Sequence, residues 1–143
     1  MRHPSIFLLS FFLVSCFHGN EVSSTSAPPS HTYTEVAAFS IAWEGIFSLK
    51  ETDYYIYVYF PGCSHCQSLK NDVIDYALSD PQIPLYFVLG SKDIPKGTNP
   101  DKTLGATSLD EVFIVGWPSL IEIKTKVLIK HLIGTAAIRS ELF

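Results

Sequence analysis

Basic charge, thiols and long apolar runs are all scarce in this chain. Ten lysines and arginines stand against fourteen aspartates and glutamates in 143 residues, a formal net charge of −4. Nucleic-acid binding calls for a basic patch and a high pI, so no nucleic-acid partner is expected. Three cysteines are present, while 47% hydrophobic and 13% aromatic content supplies the core of one domain without disulfide staples. The N-terminal apolar stretch, Ile6 to Val14 broken by Ser10, is shorter than the roughly 20 residues of a bilayer-spanning helix. A permanent transmembrane anchor is therefore disfavoured. Internal repeats are absent.

What the N-terminus does contain is ordered like an export signal. Met1-Arg2-His3, the apolar run and Leu13-Val14-Ser15-Cys16 read as n-region, h-region and small-residue cleavage site, giving a signal segment over 1–15. Leu-Val-Ser-Cys resembles the lipobox of bacterial lipoproteins, which implies lipid on Cys16 and attachment to the outer face of the bacterial cell membrane. Residues 16–32 hold Gly19-Asn20, Ser23-Ser24-Thr25-Ser26 and Pro28-Pro29-Ser30, a polar tether with little to bury. Its r.m.s. span is on the order of 20 Å. The folded domain is expected over 33–143.

Within that domain, Ala37 to Leu49 has a rough helical spacing interrupted by Gly45. Tyr54 to Phe60 is aromatic and β-branched without alternation, as in a central strand covered on both faces. Cys66, Leu69, Val73, Tyr76 and Ala77 fall on one helical face that Asp80-Pro81 closes. Leu85 to Leu89 is a second buried strand, so the unit is β-α-β with a parallel pair. Residues 90–107 read as a long loop with at most a short helical turn, and its Lys92, Lys96 and Lys102 as solvated charge beside Asp93 and Asp101. Ser108 to Glu111 fits a capping box. Ser119 to Lys124 and Val127 to Leu132 form a hairpin through Thr125-Lys126, and a terminal helix follows from Ala136. The expected class is α/β with a mixed central sheet.

Cys63-Ser64-His65-Cys66 stands at the junction of the first strand with the first helix. Cysteines three residues apart on a helical turn have Cα atoms about 5 to 6 Å apart, which a disulfide tolerates. The pair can open and close with little backbone movement. Cys63, nearest the helix N-terminus, has the more stabilised thiolate and is the expected nucleophile, with Cys66 resolving it. A structural bridge is the competing use, but so short a loop constrains the unfolded chain little. Metal binding by Cys63, His65 and Cys66 falls one ligand short of the four that a structural zinc site takes, typically as two pairs. His18, His31 and His131 show no partner spacing, and His131 is expected on a strand as a surface or satisfied core residue. No metal and no cofactor are expected.

CxxC after a buried strand, with Gly116-Trp117-Pro118 about fifty residues on, resembles the thioredoxin superfamily over nearly all of 33–143. The resemblance implies a thioredoxin-like fold, with Pro118 as the cis proline that starts the strand beside the dithiol. It also implies that the backbone of the preceding residue pairs with an extended substrate. Three departures stand out. Trp117 replaces the family's usual threonine, valine or isoleucine, Gly62 replaces the tryptophan before the first cysteine, and Tyr57 has the spacing of the family's buried acid. His65 resembles the histidine of CPHC and CGHC oxidases, implying that an imidazolium supports the thiolate. The activity implied is thiol-disulfide exchange with protein substrates by a monomer, as oxidant, reductant or isomerase. The alternative is a non-catalytic accessory or binding module of an export or secretion system.

Overall fold

Tyr54 to Val58 is buried along its whole length, and the other elements are laid around it. The computed structural model describes Ser30–Phe143. The predicted signal segment 1–15, Cys16 and the tether as far as residue 29 lie outside the described residues. Strands β1 (Asp53–Tyr59), β2 (Leu85–Leu89), β3 (Ser119–Lys124) and β4 (Val127–Ile133) form one sheet in the order β2-β1-β3-β4. β2 runs parallel to β1, and β3 and β4 follow antiparallel. Helix α1 (Ser64–Leu78) makes the β1–β2 crossover, and α2 (Thr135–Leu142) ends the chain. No described helix is long and apolar enough to cross a membrane.

Period-2 side-chain geometry divides β1 between two cores. Tyr55 and Tyr57 face α1 and α2, where Leu69, Val73, Ile74, Ala77 and Ile138 are buried. Tyr54, Ile56 and Val58 face Trp43, Ile46, Ile94, Val112 and Ile114, which come from turns and loops. The buried face of α1 matches its predicted stripe, with Tyr76 half-buried at its edge. The helix stops at Ser79, after which Asp80 takes φ +54 ahead of Pro81. Thr125 and Lys126 take φ +50 and +63 at the centre of the hairpin, the sign that a tight right-twisting connection requires.

The segment expected as a helix over 37–49 is instead two 3-10 turns, Tyr33–Phe39 and Trp43–Gly45. Ser40 bridges Phe87, and the Ile41 N–H donates to the Phe87 C=O at 2.9 Å. Pairing with the edge of β2 pulls this chain out of a helical path, a tertiary contact overriding a weak propensity. His31 and Thr32, assigned from sequence to the tether, are fastened to the domain. The His31 N–H donates to Asn71 Oδ1 at 3.0 Å, and its ring lies 2.8 Å from both Glu35 and Asp75. Pro100–Thr103 and Leu109–Glu111 are single 3-10 turns in the long connection, the second closed by the predicted Ser108–Glu111 capping box.

Candidate functional site

Phe60-Pro61-Gly62-Cys63 carries the chain from β1 into α1. The Cys63 N–H donates to the Phe60 C=O at 3.2 Å and Gly62 holds φ +80, the pattern of a type II turn with proline second and glycine third. A Cβ at Gly62 would meet nothing within 4 Å, so the demand for glycine is conformational. Cys63 is the N-cap of α1, and its Sγ accepts from the Cys66 N–H at 3.1 Å. The two cysteines are disulfide-bonded with Cα atoms 5.2 Å apart. Cys66 is 1% exposed whereas Cys63 is half-buried, so the two sulfurs are unequal in access. The unpaired N–H groups of the first turn and the helix dipole both favour a thiolate on Cys63 once the bridge opens.

His65 is exposed on the same turn, and its ring makes no hydrogen bond among the described residues. Lys70 lies one turn further on and reaches Ser30 Oγ at 3.4 Å.

The Trp117–Pro118 peptide bond is cis. Because Val58 pairs with Ser119, continuing the antiparallel register sets Pro118 opposite Tyr59 and Trp117 opposite Phe60. The last pair is realised as ring stacking, with centroids 5.5 Å apart at 24°. No backbone hydrogen bond among the described residues uses the N–H or C=O of Trp117. The half-buried indole packs at the rim of the loop-covered core, and its edge fills the space above Gly90, where a Cβ would come within 2.7 Å of it. Lys96 Nζ lies 3.6 Å from the indole centroid, a cation–π contact of about 0.5–1 kcal/mol at an exposed site. Lys96 is thus not simply solvated charge. No sequence signal links it to Trp117, twenty-one positions away.

Tyr57, at the spacing expected for a buried acid, is wholly buried. Its hydroxyl and that of Tyr33 have no hydrogen-bond partner of normal geometry, although each lies close enough to perturb the other's ionisation. Desolvation raises Tyr33 to about 12 and pushes Tyr57 higher still. Tyr57 therefore stays a neutral phenol near pH 7 and cannot accept a proton. Tyr33 also stacks on Tyr59 at 3.8 Å between centroids.

His131 is a satisfied core residue on β4. Its Nδ1 lies 3.0 Å from Thr103 Oγ1 and its Nε2 3.4 Å from Ser119 Oγ, and desolvation lowers its pKa to about 4. Of the two roles expected for it on a strand, surface or satisfied core, the structure shows the second, with partners drawn from distant positions.

No protein-family model matches the sequence, and no curated protein matches it. Solved structures do. The oxidized form of mitochondrial thioredoxin 3 from Saccharomyces cerevisiae aligns with a TM-score of 0.53 at 13% identity, over 76% of this chain and 93% of that one. Thioredoxin f2 of Chlamydomonas reinhardtii aligns with a TM-score of 0.49 at 10% identity, over 72% and 89%. At 13% identity the likeness to the yeast protein is one of architecture. Together with the β2-β1-β3-β4 order and the dithiol leading α1, it gives the chain a thioredoxin-like fold.

Proposed function

We propose that the protein is a thiol-disulfide oxidoreductase acting through Cys63 and Cys66. The observation that carries this reading is the unequal access of the two sulfurs at the start of α1, with Cys63 half-exposed and Cys66 buried. In the reducing direction, the Cys63 thiolate attacks one sulfur of a substrate disulfide and expels the other as a thiolate. The Cys66 thiolate then attacks Cys63 Sγ, releasing the second substrate thiolate. Two electrons pass to the substrate and the Cys63–Cys66 bridge forms. The oxidising direction is the reverse, and two thiols suffice for either. The unpaired Trp117 backbone offers an extended substrate a place to dock, and His65 is the expected support for the thiolate.

We place this activity outside the cytoplasm, on a chain tethered through lipid at Cys16, on the strength of the export-type N-terminus and the lipobox-like Leu13-Val14-Ser15-Cys16. The neutral Tyr57 and the indole at Trp117 favour a second reading, a non-catalytic accessory or binding module of an export system whose dithiol is structural.

Insulin reduction and oxidation of a reduced, unfolded substrate separate the two. The native chain is expected to turn over in at least one assay, Cys63→Ser to fall to background, and Cys66→Ser to stall as a mixed disulfide of increased mass. Activity that survives Cys63→Ser would remove the enzymatic reading. Persistence of Cys16→Ser in the membrane fraction would remove the anchor.

A further inference from the structure

We propose that Lys96, seated on Trp117, makes the mouth of the dithiol select partner segments that carry a carboxylate close to their reactive cysteine. This rests on the oxidoreductase reading and adds the chemistry of the partner.

Three observations converge. First, the Lys96–Trp117 contact belongs to the dithiol end of the sheet. Phe60 accepts the Cys63 N–H and stacks on Trp117, and Lys96 covers the same indole. One β-turn and one ring stack separate the ammonium from Cys63, a gap that an extended partner advancing about 3.3 Å per residue crosses within a few residues.

Second, the backbone that carries the ammonium is held in place. Lys96 bridges Ile114, the Gly97 N–H donates to the Ile114 C=O at 3.1 Å, and the Ile114 N–H donates to the Pro95 C=O at 2.8 Å. Gly97 lies so close against Phe113 that a Cβ would sit 2.0 Å from the ring, so the loop is locked on both sides of Lys96. The indole beneath is wedged over Gly90.

Third, the cation lacks an anion. Among the described residues Lys124, Lys130 and Arg139 pair with carboxylates, and Lys126 donates to the Phe47 and Leu49 carbonyls; Lys50, Lys70, Lys92 and Lys102 make no ion pair either, but of these five unpaired lysines Lys96 alone is seated on an aromatic ring. Lys96 has only the indole. Partial desolvation lowers its pKa below the usual lysine value. An ammonium with one side against a ring keeps N–H donors for an incoming carboxylate. In a chain of net charge −4, an unpaired cation seated on the indole that stacks on Phe60 favours acidic segments at the dithiol end and repels basic ones.

The test uses the full chain, reduced, and two synthetic peptides that differ only in having glutamates or lysines two and three residues from a single cysteine. Each is presented as its mixed disulfide with 2-nitro-5-thiobenzoate, whose release is followed optically. The parent is expected to react with the glutamyl peptide about three to five times faster than with the lysyl one. That ratio should shrink in about 1 M salt, fall to near one in Lys96→Gln and invert in Lys96→Glu. A ratio unchanged across the three proteins overturns the proposal. Noncovalent binding of the serine forms of both peptides, followed by chemical-shift perturbation, separates the two levels of inference. If Cys63 reacts with neither mixed disulfide while the Lys96-dependent binding preference persists, the oxidoreductase reading fails and the selective surface stands. Equal binding of both peptides by the parent and Lys96→Gln overturns the surface.

Discussion

The two faces of the sheet are covered by different means. On one, α1, α2 and the Tyr33–Phe39 turn pack regular helical stripes over Tyr55, Tyr57 and Leu120. On the other, Trp43 and Ile46 meet Ile94, Ala106, Val112 and Ile114, scattered over a connection with no helix longer than a single turn. The helical face supplies the dithiol, and the loop face supplies Trp117 and Lys96 beside it. On the proposed function, chemistry and recognition would thus come from opposite faces of the sheet that β1 shares along its length. A loop is free to vary its side chains without disturbing the helix that carries the sulfurs.

That division is broken most severely by emptying each core in turn. Ile74→Ala under α1 and Ile114→Ala under the loop each remove a fully buried side chain and should each cost about 2–5 kcal/mol in urea unfolding. Only Ile114→Ala, which loosens the segment bridged to Lys96, should also erode the preference for acidic peptides. An equal loss of preference in both variants would show that the faces do not act separately.

Acid probes the loop face through His131. Its imidazole is held neutral with a pKa of about 4, against 6.5 when unfolded, so the unfolded chain binds the extra proton first. Stability from this residue is complete above pH 6.5 and declines as pH falls toward 4, by up to about 3 kcal/mol. Unfolding measured at pH 7 and pH 4.5 should therefore differ less in His131→Gln than in the parent. His31 works in the opposite sense, because hydrogen bonding to Glu35 and the nearby Asp75 carboxylate raise its pKa. It is present in both proteins and cancels in their difference.

The smallest effect belongs to the helical face. Tyr57→Phe deletes a buried hydroxyl that has no partner of normal geometry, so thermal unfolding should be unchanged or stabilised by about 1 kcal/mol or less. Destabilisation beyond that would mean that the hydroxyl makes a bond of consequence. Thiol exchange should be unaffected, since a phenol held neutral contributes no proton acceptor.

The same contrast explains how much was legible in the sequence. The helical face could be read because its information is periodic: the stripe from Cys66 to Ala77, the buried runs Tyr54–Phe60 and Leu85–Leu89, and the turn residues Pro61-Gly62 and Thr125-Lys126 announce themselves locally. The dithiol and Pro118 were found for that reason, the proline through its family resemblance. The loop face could not be read, because its contacts join positions with no shared period. Lys96 reads locally as solvated charge, and only the fold places Trp117 beneath it; His131 reads as a surface or satisfied core residue, and only the fold supplies Thr103 and Ser119 as its partners. The misread helix over 37–49 has the same origin, since the pairing of Ser40 and Ile41 with Phe87 is invisible to local spacing.

The fastening of His31 along α1 has a mechanical consequence. Asn71 and Asp75 hold it eight and twelve residues beyond Cys63, about 12 to 18 Å down the helix axis. Under the proposed anchor at Cys16, a pull through the preceding residues would enter the domain along α1, which Arg139 also holds through Asp72. The point of entry lies well behind Cys63, toward the opposite end of the helix from the sulfur it carries.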